Sequence, residues 1–143
     1  MAKTCLAWAS VAAGIAALGG VIGLERELSG KPAGLRTNIL ICLGSAMYMV
    51  AGLLIVSPGG SDSDPARIAA QVVTGIGFLG AGSIIQSSGR VTGLTTAATI
   101  WVVASIGLVA GAGFPLVAIV AALMVVLTLF VLGRFERRYL DPA

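Results

Sequence analysis

The residues able to do chemistry in this chain are few, and they sit among long apolar runs. There are six carboxylates, nine basic side chains, two cysteines and no histidine. Glu25, Arg26 and Glu27 stand side by side, and Arg36, Thr37 and Asn38 follow across a turn marked by Gly30, Pro32 and Gly34. This mixture of signs points to ion pairing with Arg36 or to a partner site. A pair in the headgroup region, where desolvation is partial, counts for more than one on an open surface. A second polar set, Arg67, Gln71, Thr74, Gly75, Phe78 and Gly82, shares one face at helical spacing. Polar groups in a membrane span usually face other helices, so this face is expected to point inward. Thr92, Thr96 and Thr99 share a third face, with Thr95 stacked on Thr99. Their hydroxyls can bond back to their own helix or, beside a glycine-rich neighbour, across to it.

None of these sets is a catalytic arrangement. Without histidine, and with no carboxylate pair at membrane depth, acid–base work has few candidates, so no enzyme, catalytic residue or cofactor is expected. The absence of histidine and of a cysteine pair argues against a soft-metal site. Cys5 and Cys42 fall near opposite ends of spans and are not expected to bridge. Asp62 and Asp64 lack the spaced ligands of a calcium loop; Asp64-Pro65 reads instead as the cap and first-turn proline of a helix. Gly75-Ile-Gly-Phe-Leu-Gly80 spells a dinucleotide fingerprint, but such a motif follows a strand and precedes an acid about 20 residues on. Here the preceding stretch is helical, and no acid lies between Asp64 and Glu136.

The elements that must position these residues are apolar helices. The 143 residues are 57% hydrophobic and 10% charged, with a mean hydropathy of +1.02, too little charge for a soluble surface. A span takes roughly 20 apolar residues. Five such stretches are expected, Cys5–Leu24, Leu35–Val56, Ala66–Gln86, Leu94–Ala110 and Phe114–Gly133, forming one all-α polytopic bundle over residues 1–143. Irregular or re-entrant backbone in the third or fourth is an open alternative. With connections alternating sides, Arg26, Lys31, Arg36, Arg90, Arg134, Arg137 and Arg138 fall on one side and Lys3 and Arg67 on the other. The positive-inside rule then puts the N-terminus outside and the C-terminus in the cytoplasm. These charges border membrane ends, so orientation explains them and nucleic acid is not an expected partner. The first span carries its basic residues at the end opposite to a signal peptide's and reads as a retained helix.

Gly19-x-x-x-Gly23 and Ala16-x-x-x-Gly20 in the first span, and Gly107-x-x-x-Gly111 in the fourth, suit tight helix contact. Arg67–Gly82 is expected to be the central helix, packed through Gly75, Gly77, Gly80 and Gly82. On that reading, Gly77→Leu or Gly80→Leu disrupts assembly more than Leu123→Ala on the apolar fifth helix.

Four stretches, in this order, carry a resemblance: Gly23-Leu-Glu-Arg26; Ala33-Gly-Leu-Arg-Thr-Asn38; Arg67-Ile-Ala-Ala-Gln71 with Gly75-Ile-Gly-Phe-Leu-Gly-Ala-Gly82; and Gly93-Leu-Thr-Thr-Ala-Ala-Thr-Ile-Trp101. The sequence resembles the MgtC/SapB family of bacterial inner-membrane proteins. The resemblance implies a five-span domain with its N-terminus outside. It also implies a link to adaptation to low magnesium and, in pathogens, to survival inside host cells, with members that look more like regulators than magnesium carriers. A membrane sector of ATP synthase is the partner it offers. Many members continue into a soluble C-terminal domain, which this chain, ending at Ala143, is expected to lack.

Two functions are therefore weighed. One is a regulator acting in the bilayer through helix–helix contacts, with a homodimer as one arrangement its small-residue faces allow. The other is an Mg²⁺ or other cation transporter or channel, expected to be oligomeric. Mg²⁺ favours carboxylates and keeps its waters, and no acid lies within a span. A cation path would need an oligomeric ring or backbone carbonyls.

Overall fold

The computed structural model describes residues 2–55, 64–87 and 90–139, with side chains from residue 10 onward except at 87 and 137. The expectations for the side chains of Lys3, Cys5 and Arg137, for Asp62 and for the loop around it lie outside this set. The elements are α1 (Ala2–Leu28), α2 (Leu35–Ile55), α3 (Pro65–Gly82), β1 (Ile85–Ser87), β2 (Arg90–Thr92), α4 (Leu94–Gly111) and α5 (Pro115–Tyr139). Among the described residues three helical segments are long and apolar enough to cross a membrane: Leu35–Ile55, Leu94–Gly111 and Pro115–Glu136.

Local chemistry sets the boundaries. α1 closes with the Lys31 amide donating to the Arg26 carbonyl and the Gly30 amide to that of Glu27, the paired bonds that satisfy last-turn carbonyls. α4 ends in the same way, through Phe114 to Val109 and Gly113 to Ala110, and Pro115 then opens α5. As expected, Asp64 caps α3, its carboxylate accepting from the Ala66 amide at 2.9 Å, with Pro65 in the first turn. The stretch expected to continue the third helix to Gln86 does not do so. After Gly82 the chain turns into an antiparallel hairpin in which Ile85 pairs with Thr92 and Gln86 with Val91. β-branched Ile84, Ile85, Val91 and Thr92 favour strand over helix.

Two seams hold the bundle. Along α1 and α2, a Cβ placed on Gly19 would stand 2.6 Å from the Asn38 carbonyl oxygen, and one on Gly23 would stand 2.8 Å from Leu35 Cα. Along α2 and α4, a Cβ on Gly107 would lie 2.2 Å from the Cys42 carbonyl oxygen, and one on Gly111 2.6 Å from that of Ala46. In both seams one backbone lies on another, which only glycine allows. The matching order of Gly107 with Cys42 and Gly111 with Ala46 makes α2 and α4 parallel neighbours. α1 runs antiparallel to α2, since Gly19 meets Asn38 and Cys42 while Gly23 meets Leu35. One end of the bundle thus gathers the ends of α1 and α5, the starts of α2 and α4, and the hairpin.

The core therefore centres on α2 and α4, which correct the expected central helix. α4 buries Ile100, Val103, Ala104 and Ile106, and α2 buries Ile41, Cys42 and Ala46; α3 buries only Gly80, which faces Ala97. A Cβ added at Gly75, Gly77 or Gly82 would meet nothing within 4 Å, so these three glycines pack against no other part of the described chain. The reason is amphipathic competition. Ile68, Val72 and Ile76, about 100° round α3 from Arg67, Gln71 and Gly75, are its half-buried side, and the glycines and polar residues stay exposed.

Candidate functional site

Three of the candidate residues form a polar knot where α1 ends. Arg26 is 4% exposed although it carries a full charge. Its Nε donates to Glu25 Oε2 and its second guanidinium nitrogen to Glu25 Oε1 at 2.8 Å. This fork-on-carboxylate contact gives two charge-assisted bonds from one side chain. Ser29 Oγ donates to the same Oε1 at 2.9 Å. One helical turn separates Ser29 from Glu25, so i,i+4 spacing was a readable signal for a partner that charge alone did not indicate. The carboxylate thus serves the buried cation beside it rather than Arg36, which stands exposed on α2.

Glu27 points the other way, across the turn. Its Oε2 accepts from the Leu35 amide at 2.8 Å. A carboxylate at the start of α2 meets an otherwise unbonded amide and the positive end of the helix dipole. Asn38 is fully buried against α1, and its Nδ2 donates to the Ala33 and Gly34 carbonyls. Its Oδ1 is a buried acceptor with no hydrogen-bond donor among the described residues. Glu25, Arg26, Glu27 and Asn38 are brought together at one end; Arg36 is near in sequence only.

The threonines lie on α4. Thr96 and Thr99 are buried, Thr95 is exposed, and Thr99 Oγ1 donates to the Thr95 carbonyl at 2.8 Å. The hydroxyl bonds back to its own helix. Ser45 on α2, buried at the Gly107 contact, is a core polar residue that the pattern of charges did not reveal.

The third set is apart from both. Arg67, Gln71 and Thr74 are exposed on α3, correcting the expected inward face, and Thr74 Oγ1 donates to the Ala70 carbonyl. Arg67 and Gln71 border a lateral groove of about 910 Å³ between α2 and α3, with Tyr48, Ile55, Gly75 and Leu79 among its walls. Arg67 lies at the opposite end of the bundle from Glu25, so no pair forms between them.

The knot predicts a measurable asymmetry. Glu25→Gln leaves the Arg26 guanidinium buried without its counter-ion and should lower stability in detergent by about 2–3 kcal/mol. Arg36→Gln, on an exposed side chain, should stay within about 0.5 kcal/mol. Equal shifts in the thermal midpoint would contradict the pairing.

Comparison with known proteins sets this arrangement in context. Residues 10–138 match the family described as MgtC family. The chain is 45% identical over 126 residues to a protein provisionally named magnesium transporter YhiD from Escherichia coli (strain K12), covering 85% of this chain and 59% of that one. It is 46% identical over 118 residues to Protein MgtC of Brucella abortus (strain 2308), covering 82% and 48%. A protein of Haemophilus influenzae without assigned function is 43% identical over 118 residues, covering 78% and 50%. The chain spans about half to three-fifths of the length of these relatives. No solved structure matches it.

Proposed function

The chain belongs to the MgtC family, and from that premise we propose that it is a non-enzymatic regulator in the bacterial inner membrane. It serves adaptation to low magnesium and, in a pathogen, survival inside host cells, through helix contacts with membrane partners. The membrane sector of ATP synthase is the first such partner to test. In this reading all five helices cross the bilayer, with the N-terminus outside and the knot of Glu25 and Arg26 on the cytoplasmic side. The alternating helix directions and the seven basic residues at one end support that topology.

One observation carries the choice of regulator over carrier. The polar groups buried among the described residues are Arg26, Asn38, Ser45, Thr96 and Thr99, one cation and four neutral groups. Mg²⁺ favours carboxylates and surrenders its waters reluctantly; none of these buried groups is a carboxylate, and the carboxylate beside them, Glu25, is bonded to Arg26. The α2–α4 seam, closed backbone on backbone, also supplies no wall of carbonyls around an open path. The second reading, magnesium transport, is favoured by the name of the Escherichia coli relative.

Purified chain in liposomes containing an Mg²⁺-sensitive dye decides between them. The regulator predicts uptake equal to that of protein-free vesicles, together with a specific membrane protein recovered after crosslinking in cells. Saturable uptake that disappears in the Glu25→Gln protein would establish the carrier instead.

A further inference from the structure

Besides the α2–α3 groove, a second lateral cavity of about 670 Å³ opens between α1 and α5, at the end that carries the polar knot. We propose that this groove is a binding site for one anionic phospholipid, with an acyl chain along its apolar walls and the phosphate on Arg134 and Arg138.

The walls divide by chemistry. Val21, Leu24 and Leu28 stand on one face of α1, and Phe130 faces them from α5. All four are strongly exposed within the chain, giving an apolar channel open sideways to the bilayer. Arg134 and Arg138 stand one turn apart on α5, so both guanidiniums reach the same end of that channel. Guanidinium forks match phosphate oxygens in geometry as well as charge.

The remaining ionisable wall residue is Glu25, and it does not cancel this charge. Its carboxylate is held by Arg26 and Ser29, so the two wall guanidiniums, Arg134 and Arg138, share the mouth with one carboxylate that has a cation of its own behind the wall. Arg138 is further placed at interface depth by Tyr139, whose ring lies 5.8 Å below the guanidinium carbon. Tyr139 in turn packs on Phe135, with ring centroids 4.8 Å apart. Aromatic and basic residues together mark the headgroup level of a membrane helix, and basic pockets between helices there select acidic headgroups. The α2–α3 groove has a single basic residue, Arg67, among its walls and no comparable complement. The inference uses the proposed topology only to assign the lipid to the cytoplasmic leaflet; binding itself does not depend on it.

Native mass spectrometry of the full chain tests this, in neutral detergent with added phosphatidylglycerol or phosphatidylcholine. One phosphatidylglycerol should be retained about tenfold more than phosphatidylcholine. The Arg134→Gln/Arg138→Gln protein should lose that preference, while Arg90→Gln, an exposed arginine on the hairpin at the same end, should keep it. Val21→Trp, which fills the channel from an exposed position, should reduce retention of both lipids several-fold. Equal retention of the two lipids by the unaltered chain would overturn the site. So would a loss in Arg90→Gln as large as in the double variant, or full retention in Val21→Trp. Thermal midpoints measured without lipid keep these outcomes separate from unfolding.

Discussion

Gly107→Leu is expected to split the bundle: its thermal midpoint in detergent should fall by far more than that of Gly77→Leu. A side chain at Gly107 begins 2.2 Å from the Cys42 carbonyl oxygen and also presses Ser45 Cβ at 3.0 Å. The obstacle is backbone in the middle of a helix, which cannot rotate aside, so α2 and α4 must separate. Overpacking of this kind costs about 3 kcal/mol or more, and it also uncovers Val103 and Ala104 nearby. Gly77 has open space around it, so leucine there should change stability by less than about 0.5 kcal/mol. Leu123→Ala, at a position 57% exposed, should likewise be mild. If Gly77→Leu proved as damaging as Gly107→Leu, α3 would have to be packed by something outside this chain.

Gly93→Ala is the second large effect. Gly93 caps α4 from a left-handed conformation, φ +89°, which costs a non-glycine residue about 1–2 kcal/mol. Its added Cβ would also stand 1.9 Å from the Ser83 carbonyl oxygen, at the place where the end of α3 passes the start of α4. Strain and collision together should cost about 3 kcal/mol. Gly30→Ala provides the comparison. It has a similar φ of +63° but nothing within 4 Å, so it should bear the conformational cost alone. Thermal unfolding of the two proteins should separate them clearly; matching midpoints would mean that the Ser83 contact is relieved at no cost.

Much of this architecture was legible in residue types. The Gly19/Gly23 and Gly107/Gly111 pairs announced close approach, and they form the two seams. Asp64-Pro65 announced a helix start. The α3 glycines misled because spacing shows that a face is smooth and does not show whether a neighbour covers it. The face of Ile68, Val72 and Ile76 competed for the same neighbours and won. The hairpin escaped notice because its Ile84, Ile85 and Val91 are as apolar as a helix end, and only their β-branching argued otherwise. At the site, charge showed that Glu25 and Glu27 matter and not which groups they meet. Glu25 turned to its own sequence neighbour, and Glu27 met a backbone amide, a partner that every sequence offers.

The parallel contact of α2 with α4 has a consequence for how the protein is made. α1 and α2 are synthesised consecutively and can close as a hairpin at once, Glu27 reaching the Leu35 amide as soon as both exist. α2 must then wait through the synthesis of all of α3 and the β-hairpin before Gly107 and Gly111 arrive to cover Cys42 and Ala46. During that interval the α2 surface that will become the centre of the molecule has no α4 to cover it. Helix order in time and helix order in space differ here, and the nascent chain must hold the place beside α2 for a helix that has not yet been made.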